Sequence, residues 1–501
     1  MAIRMTGMAS GLDTETMIKE LVNAQKLKNK KVSDKLTVSE WKEDRWKELN
    51  TKLYKLYTDS VSKLRLQGSY SDKKVSTTDD TAATVTAGTN ATTGSNTLTV
   101  DELASSQYVT SGVLYTADGL TKAKDTTKLS ELEGSVGAIA ISFNGKVNGL
   151  TSDSTIAEVV QAAKDAGLNA NYDEKQGRFF IGSKESGKSN AFSIDGTNLN
   201  ILKLDATDGI KPTNPQATGP NGSSIVYASD SEITLNGAKL TGSTNTITAN
   251  GLTINIKGKT TGTPISVGVS NDIDATYKMV KDFIKSYNVI LKEMNTLYYA
   301  GSTKDYAPLS DDDKAGMTDD QIEKWETKIK DSVLRRDTTL GSVIDSMKTS
   351  MLGSAKVGEK SYTLSTFGIM TSSDYTEKGL LHIYGDTEDS VYADNKDKLK
   401  KALTEDPATT IAALSGIFTG LYDSMSTKMK SIPNVRSAYT FFNDKLMDKE
   451  QTDYKKRISV LEGKLTDMEN KYYKQFSAME TALAKLQSQS SSLAGMLGTS
   501  N

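Results

Sequence analysis

The stretch closest to chemistry in this sequence is Gly182-Ser-Lys-Glu-Ser-Gly187-Lys188-Ser189, which fits the GxxxxGK[ST] spacing of a phosphate-binding loop. It follows Arg178-Phe-Phe-Ile181, a segment of strand character. Such a loop must open directly into a helix, whose first backbone N–H groups then hold the phosphate. Here Asn190-Ala-Phe-Ser-Ile194-Asp-Gly alternates as a strand does, and no later strand ends in a well-placed magnesium-binding Asp. A glycine-rich hairpin turn accounts for the match, and the ATPase reading is rejected. Asp311-Asp-Asp-Lys-Ala-Gly316 starts like a calcium loop, but Ala315 occupies a ligand position and Ile322 stands where the bidentate Glu belongs. A solvated loop, with Ser310 capping a helix, is the expectation there. The lone histidine, His382, alternates as a strand residue within Leu380-Leu-His-Ile-Tyr384 and is expected to be exposed. Trp41 and Trp46 sit among helix charges and read as packing residues. With no cysteine, disulfides, thiol catalysis and the common zinc sites are excluded together. The sequence presents no catalytic, cofactor or metal constellation, so the expectation is a protein that is not an enzyme.

The elements around these residues suit an elongated protein. A length of 501 residues allows roughly three domains. Only 36% of residues are hydrophobic, and Ser, Thr, Asn and Gly crowd the middle, which fits a compact enzyme poorly. A net charge of −2 gives neither a nucleic-acid footprint nor a polybasic membrane surface. The first residues lack the apolar stretch of a signal peptide, and no run approaches the ~18 apolar residues of a spanning helix. A cytoplasmic protein is expected, unless another export route exists.

Both ends of the chain carry helical periodicity. Apolar side chains fall at Tyr454, Ile458, Leu461, Leu465, Met468 and Tyr472, then at Phe476, Met479, Leu483 and Leu486, with Leu493 and Leu497 beyond. Steps of three and four keep one narrow stripe on one helix face, the seam of a coiled coil. The double step of four at Tyr472–Phe476 is a stutter that locally unwinds the supercoil. Residues 1–12 are small and without period; Asp13 or Thr14 can cap a helix running to Leu66. Along it Ile18, Leu21, Val22, Val32 and Leu36 are apolar, and Trp46, Leu49, Leu53 and Leu56 form a cleaner stripe. The two terminal stripes can pair into a stalk; the alternative is two unrelated bundle helices.

From about residue 71 to 270 the period changes to two, with Asn236-Gly237 and Asn250-Gly251 as hairpin turns. Within this β-rich region an inserted unit carries a strand at 138–146, a helix at 154–166 and a hairpin at 169–181 turning near Lys175-Gln-Gly177. A proline-bearing linker follows at 208–224. Helix returns at Ala275, with Met279, Phe283, Ile284 and Tyr287 on one face. Thr318-Asp-Asp-Gln321 reads as a capping box. Further helices are expected at 395–403 and 409–429, and Pro433 separates them from the terminal helix. The fold class expected is multidomain α+β, with terminal helices pairing as a coiled-coil leg, a helical-bundle domain, and β-rich head domains holding a small αβ unit.

Ordered segments of this chain resemble the flagellar hook-associated protein 2 family, the filament cap proteins. Ser10-Gly-Leu-Asp13 before a capped helix is similar to that family's opening, and Leu103-Ala-Ser-Ser-Gln107 to its LAxxQ segment. Ser243-Thr-Asn245-Thr and Gly251-Leu-Thr253 resemble its second β block, Phe283-Ile-Lys-Ser-Tyr287-Asn288 its FVxxYN helix, and Leu364 to Gly368-Ile369 its LxxxGI segment. Gln475-Phe-Ser-Ala-Met479-Glu and Leu486-Gln-Ser-Gln-Ser-Ser-Ser-Leu493 resemble its close. The unit from Ser154 to Ile194 is similar to the small αβ motif of flagellin and hook proteins. Ile284 and Ser105-Ser106 depart modestly from the family pattern.

The resemblance implies a structural cap at the distal filament tip, promoting folding and insertion of exported flagellin and preventing its loss to the medium. It further implies a homo-oligomer outside the cell, exported by the flagellar secretion system without a cleaved signal peptide. Partners would be flagellin, hook–filament junction proteins and an export chaperone, with no cofactor, nucleic acid or membrane span. Domains are expected at 1–44 plus 456–501 (leg), 45–70 plus 272–455 (mainly helical), 71–108 plus 225–271 (β-rich head) and 109–224 (inserted head). The expected oligomer or filament contacts are the seam residues Leu461, Leu465, Met468, Tyr472, Phe476, Met479, Leu483 and Leu486, with Ile18, Leu21 and Val22. A flagellar adhesin and another hook–filament junction component are the alternatives.

Overall fold

The structure, a computed structural model, describes residues 11, 13–134, 139–204, 216–218 and 221–498. The expected aperiodic opening, apart from Gly11 and Asp13 onward, and most of the proline-bearing linker lie outside the described residues. The chain divides into two compact units, residues 71–272 and residues 1–70 with 273–501.

The unit of residues 71–272 contains two hydrophobic cores. In the first, an antiparallel sheet runs in the order Lys73–Thr77, Ile265–Asn271, Gly94–Glu102, Ser231–Leu235, Ala238–Gly242. Alternation along these strands sends Leu98, Val100, Ile233 and Val267 inward, against Ile254 of a three-stranded sheet formed by Thr246–Ala249, Leu252–Ile256 and Ala83–Ala87. The two Asn-Gly turns both take left-handed backbone, with φ of 52° and 83° at Asn236-Gly237 and 52° and 75° at Asn250-Gly251. That geometry matches the twist of the strands they join.

The second core belongs to residues 108–226. The helix Ile156–Asp165 starts on a reciprocal Thr155–Glu158 capping box and buries Ile156, Val159 and Ala163. The Asn169–Asp173 and Arg178–Gly182 strands form the expected hairpin, and their sheet continues through Tyr108–Thr110, Ser224–Val226 and Gln216–Thr218. The strand expected at 138–146 is instead a hairpin, Ala140–Phe143 and Lys146–Val147. Asn144 and Gly145 both take positive φ, which reverses the chain between them.

In the other unit the N-terminal helix Thr14–Lys55 runs through one π turn, Leu56–Val61, into Ser62–Leu64. Trp46, Leu49, Leu53, Leu56 and Val61 pack into one core with residues of the helices Ile273–Tyr298, Thr338–Met351 and Pro407–Lys428. Several helix starts are set by side-chain caps. Thr318 with Gln321 forms the expected box, and Ser310 caps the short Asp311–Ala315 helix. The helices expected at 395–403 and 409–429 are Lys398–Glu405 and Pro407–Lys428. Asp397 and Asp406 accept backbone N–H groups at their starts, and Pro407 occupies the first turn, where it has no N–H to lose.

His382 departs from its expected exposure. It lies in the strand Leu381–Ile383 with a largely buried ring, its Nε2 2.9 Å from Glu377 and its Nδ1 2.6 Å from Asp389. Turns on either side of the strand fold back to supply these two carboxylates, which strand alternation alone cannot show.

Candidate interaction surface

The terminal helices do pair. The C-terminal helix spans Asp444–Leu497 without a break and runs antiparallel to Thr14–Lys55. At the base of the pair, buried Trp46 stacks on Phe442, with ring centroids 5.6 Å apart and planes 10° from parallel. Beside it the Phe441 backbone N–H donates to Asn50 Oδ1 at 2.8 Å, fixing where the last helix departs from the core. The Asp444 carboxylate is partly desolvated, but bonds from Ser437 and neighbouring N–H groups outweigh this and hold it below the usual carboxylate range.

Further along, polar side chains flank the seam. Gln451 Nε2 donates to Glu43 Oε2 at 2.6 Å, and Lys455 lies 3.2 Å from Glu40. Glu43 also accepts from Lys47, whose ammonium is held above its ordinary pKa by that bond. Tyr454 donates its phenol to Glu450, which pushes its pKa up. At the far end Asp13 accepts from the Thr16 side chain and backbone N–H, and these bonds hold its carboxyl below the usual range.

The expected stripe is only half spent by this pairing. Ile18 and Val22 are buried, whereas Leu461, Leu465, Met468, Tyr472, Phe476, Met479 and Leu483 are half-buried, and among the charged residues between them Glu480 is itself buried. Leu21 is 46% exposed, and Leu486 and Leu493 are 60% and 61% exposed. Opposite running explains the last two. Moving outward from the Glu40–Lys455 pair by about twenty-six residues on each helix brings Thr14 level with Thr481. Among the described residues of the N-terminal helix, none extends past that level. Met17 and Leu27, at 42% and 54% exposed, are further exposed apolar side chains of the N-terminal helix that the sequence reading did not single out. Trp41 packs under Lys330, whose ammonium sits 4.8 Å from its ring centre.

The phosphate-loop look-alike is a turn. Gly182 ends a strand, a short 3-10 turn occupies Lys188–Asn190, and the Lys188 backbone N–H donates to Asp230 Oδ1 at 2.7 Å. The Ser183 and Gly187 N–H groups likewise donate to the Gln107 and Ser105 carbonyls. Among the described residues no cluster of His, Cys, Asp and Glu could hold a metal ion, and no helix is long and apolar enough to cross a membrane.

This architecture has recognisable relatives. The family description "Flagellar hook-associated protein 2 C-terminus" matches residues 228–488, and the corresponding N-terminal description matches residues 10–107. The chain belongs to the flagellar hook-associated protein 2 family. The matched regions include most of both terminal helices and stop on either side of the residue 108–226 core. Flagellar hook-associated protein 2 of Halalkalibacterium halodurans is 26% identical over 98% of this chain and 99% of its own length. The A-type protein of Pseudomonas aeruginosa is 27% identical over 86% of this chain and 88% of its own length. A solved structure of the flagellar cap protein of Escherichia coli is 19% identical, covering 77% of this chain and 96% of that one, with a TM-score of 0.49.

Proposed function

We propose that this protein is the structural cap at the distal tip of a bacterial flagellar filament, where it promotes insertion of exported flagellin and prevents its escape. The observation that carries the reading is the terminal helix pair, whose apolar seam is half-covered within one chain. Side chains such as Leu465 and Phe476 sit in a stripe that the N-terminal helix does not close, and Leu21 and Leu486 add partly exposed apolar surface. Apolar area left at a helix seam is a driving force for association, worth about 25 cal/mol per Å² when a partner covers it.

In this reading residues 1–44 and 456–501 act as a leg that docks among flagellin subunits. The helical domain of 45–70 with 272–455 supports it, and the β-rich heads of 71–108 with 225–271 and 109–224 complete the cap. Several copies form the plate, and hook–filament junction proteins and an export chaperone are further partners. The chain reaches the tip by the flagellar export route without a cleaved signal peptide, and the role is scaffolding without bond chemistry. Leu465→Asp or Phe476→Asp places a carboxylate in the seam. Either variant, expressed in place of the parent protein, should fail to support filament growth while its other domains fold. Normal filaments in both variants would overturn the docking role of the seam.

A further inference from the structure

The turn at Gly182–Asn190 sits where the two bodies of the 71–272 unit meet. The chain crosses between them twice, and the two crossings are tied together. Ser105 and Ser229 exchange backbone hydrogen bonds of 2.9 and 3.2 Å, and their hydroxyls lie 2.9 Å apart. Asn245, in the turn following Gly242, clamps the first crossing, accepting from the Ala104 N–H at 2.8 Å and donating to its carbonyl at 3.0 Å. A pair of adjacent crossings by itself is a hinge, because rotation about it breaks few contacts.

The Gly182–Asn190 turn adds contacts beside the crossings, at Ser243 and Asp230, and one on the Ser105 crossing itself. Ser186 Oγ donates to the Ser243 carbonyl at 2.8 Å, and the Lys188 N–H donates to Asp230 Oδ1 at 2.7 Å. The Gly187 N–H reaches the Ser105 carbonyl at 3.1 Å. Gly187 has φ of +99°, and a Cβ there would lie 2.6 Å from Ser243 Cβ and 2.7 Å from its carbonyl oxygen. Only glycine allows this approach at this backbone conformation.

We infer that the Gly182–Asn190 turn is a positioning lock, in which Gly187, Ser186 and Asp230 hold the inserted αβ body at a fixed angle on the β-rich body. The resemblance to a phosphate loop then has a mechanical origin: glycine and backbone N–H groups serve a close approach of the two bodies. This inference concerns the rigidity of the unit and does not depend on the cap reading.

The chain has no cysteine, so two can be introduced for spin labels without background. Lys164→Cys on the helix of the αβ body and Thr248→Cys on the β-rich body are both exposed positions. In the full-length chain the lock predicts a single narrow distance distribution. Adding Gly187→Val should replace that peak with a broad distribution, while exchange protection within each core is unchanged. Asp230→Ala with Ser186→Ala should broaden it as well, and Asp230→Asn, which keeps the acceptor oxygen, should leave it narrow; this series stands if the valine variant does not fold. A broad distribution in the parent, or a parent-like narrow peak in the folded Gly187→Val protein and in the double alanine variant, would overturn the lock.

Discussion

Replacing Trp46 by alanine removes the side chain that joins the N-terminal helix to the start of the C-terminal one. Trp46 is 1% exposed and stacks on Phe442 at 5.6 Å, and both rings belong to the largest core of the molecule. Truncating a buried aromatic side chain to alanine costs about 3–5 kcal/mol, since the transfer energy is lost and a cavity remains. A stacked aromatic pair adds roughly 0.5–1.5 kcal/mol beyond area. Trp46→Ala should therefore destabilise the unit of residues 1–70 and 273–501 by about 3–5 kcal/mol. A cycle with Phe442→Leu should show a coupling of about 1 kcal/mol. Because the chain divides into two compact units, the loss is best read site by site. Native-state amide exchange in the helix Ile273–Tyr298 should speed up accordingly, while exchange in the β-rich strands stays at the parent rate. A loss below about 1 kcal/mol in that helix, or a clear loss in the β-rich strands, would refute the view of Trp46 as the anchor of the pair.

Other outcomes follow from the same geometry. The Asp13 carboxyl is held below its unfolded value by the Thr16 bonds, so its contribution to the helix start is fully present above about pH 4 and is lost as pH falls through the folded value. The Thr16 amide resonance should shift through that low-pH window in the parent protein and not in Asp13→Ala. Asn245→Ala strips two bonds from the Ala104 backbone and should destabilise the β-rich body by about 1–3 kcal/mol, with the earliest exchange gain at residues 103–107. Asn245→Asp keeps one acceptor for the Ala104 N–H and should cost less.

Local chemistry was legible in the sequence wherever the determining residues are close neighbours. Thr318 and Gln321 announce a helix start three residues apart, and both Asn-Gly pairs mark turns whose backbone requires them. The terminal stripes are visible for the same reason, because a period of three and four is a property of one helix. Features made by distant partners were not legible. The strand order places Ile265–Asn271 between Lys73–Thr77 and Gly94–Glu102, a pairing across nearly two hundred residues. His382 was misplaced because Glu377 and Asp389 lie on turns that bend back to it. The exposure of Leu21 and Leu486 also escaped the stripe: periodicity tells which face is apolar, and only the partner's register tells how much of that face is covered. The π turn at Leu56–Val61 has no sequence mark that we can identify.

The cap reading is tested most directly by deleting the gene in the source bacterium and following flagellin. The account predicts intact hooks, absent or stunted filaments, and monomeric flagellin released into the medium, with filaments restored by the parent gene. Filaments of normal length on the deletion strain, with no flagellin released, would contradict it.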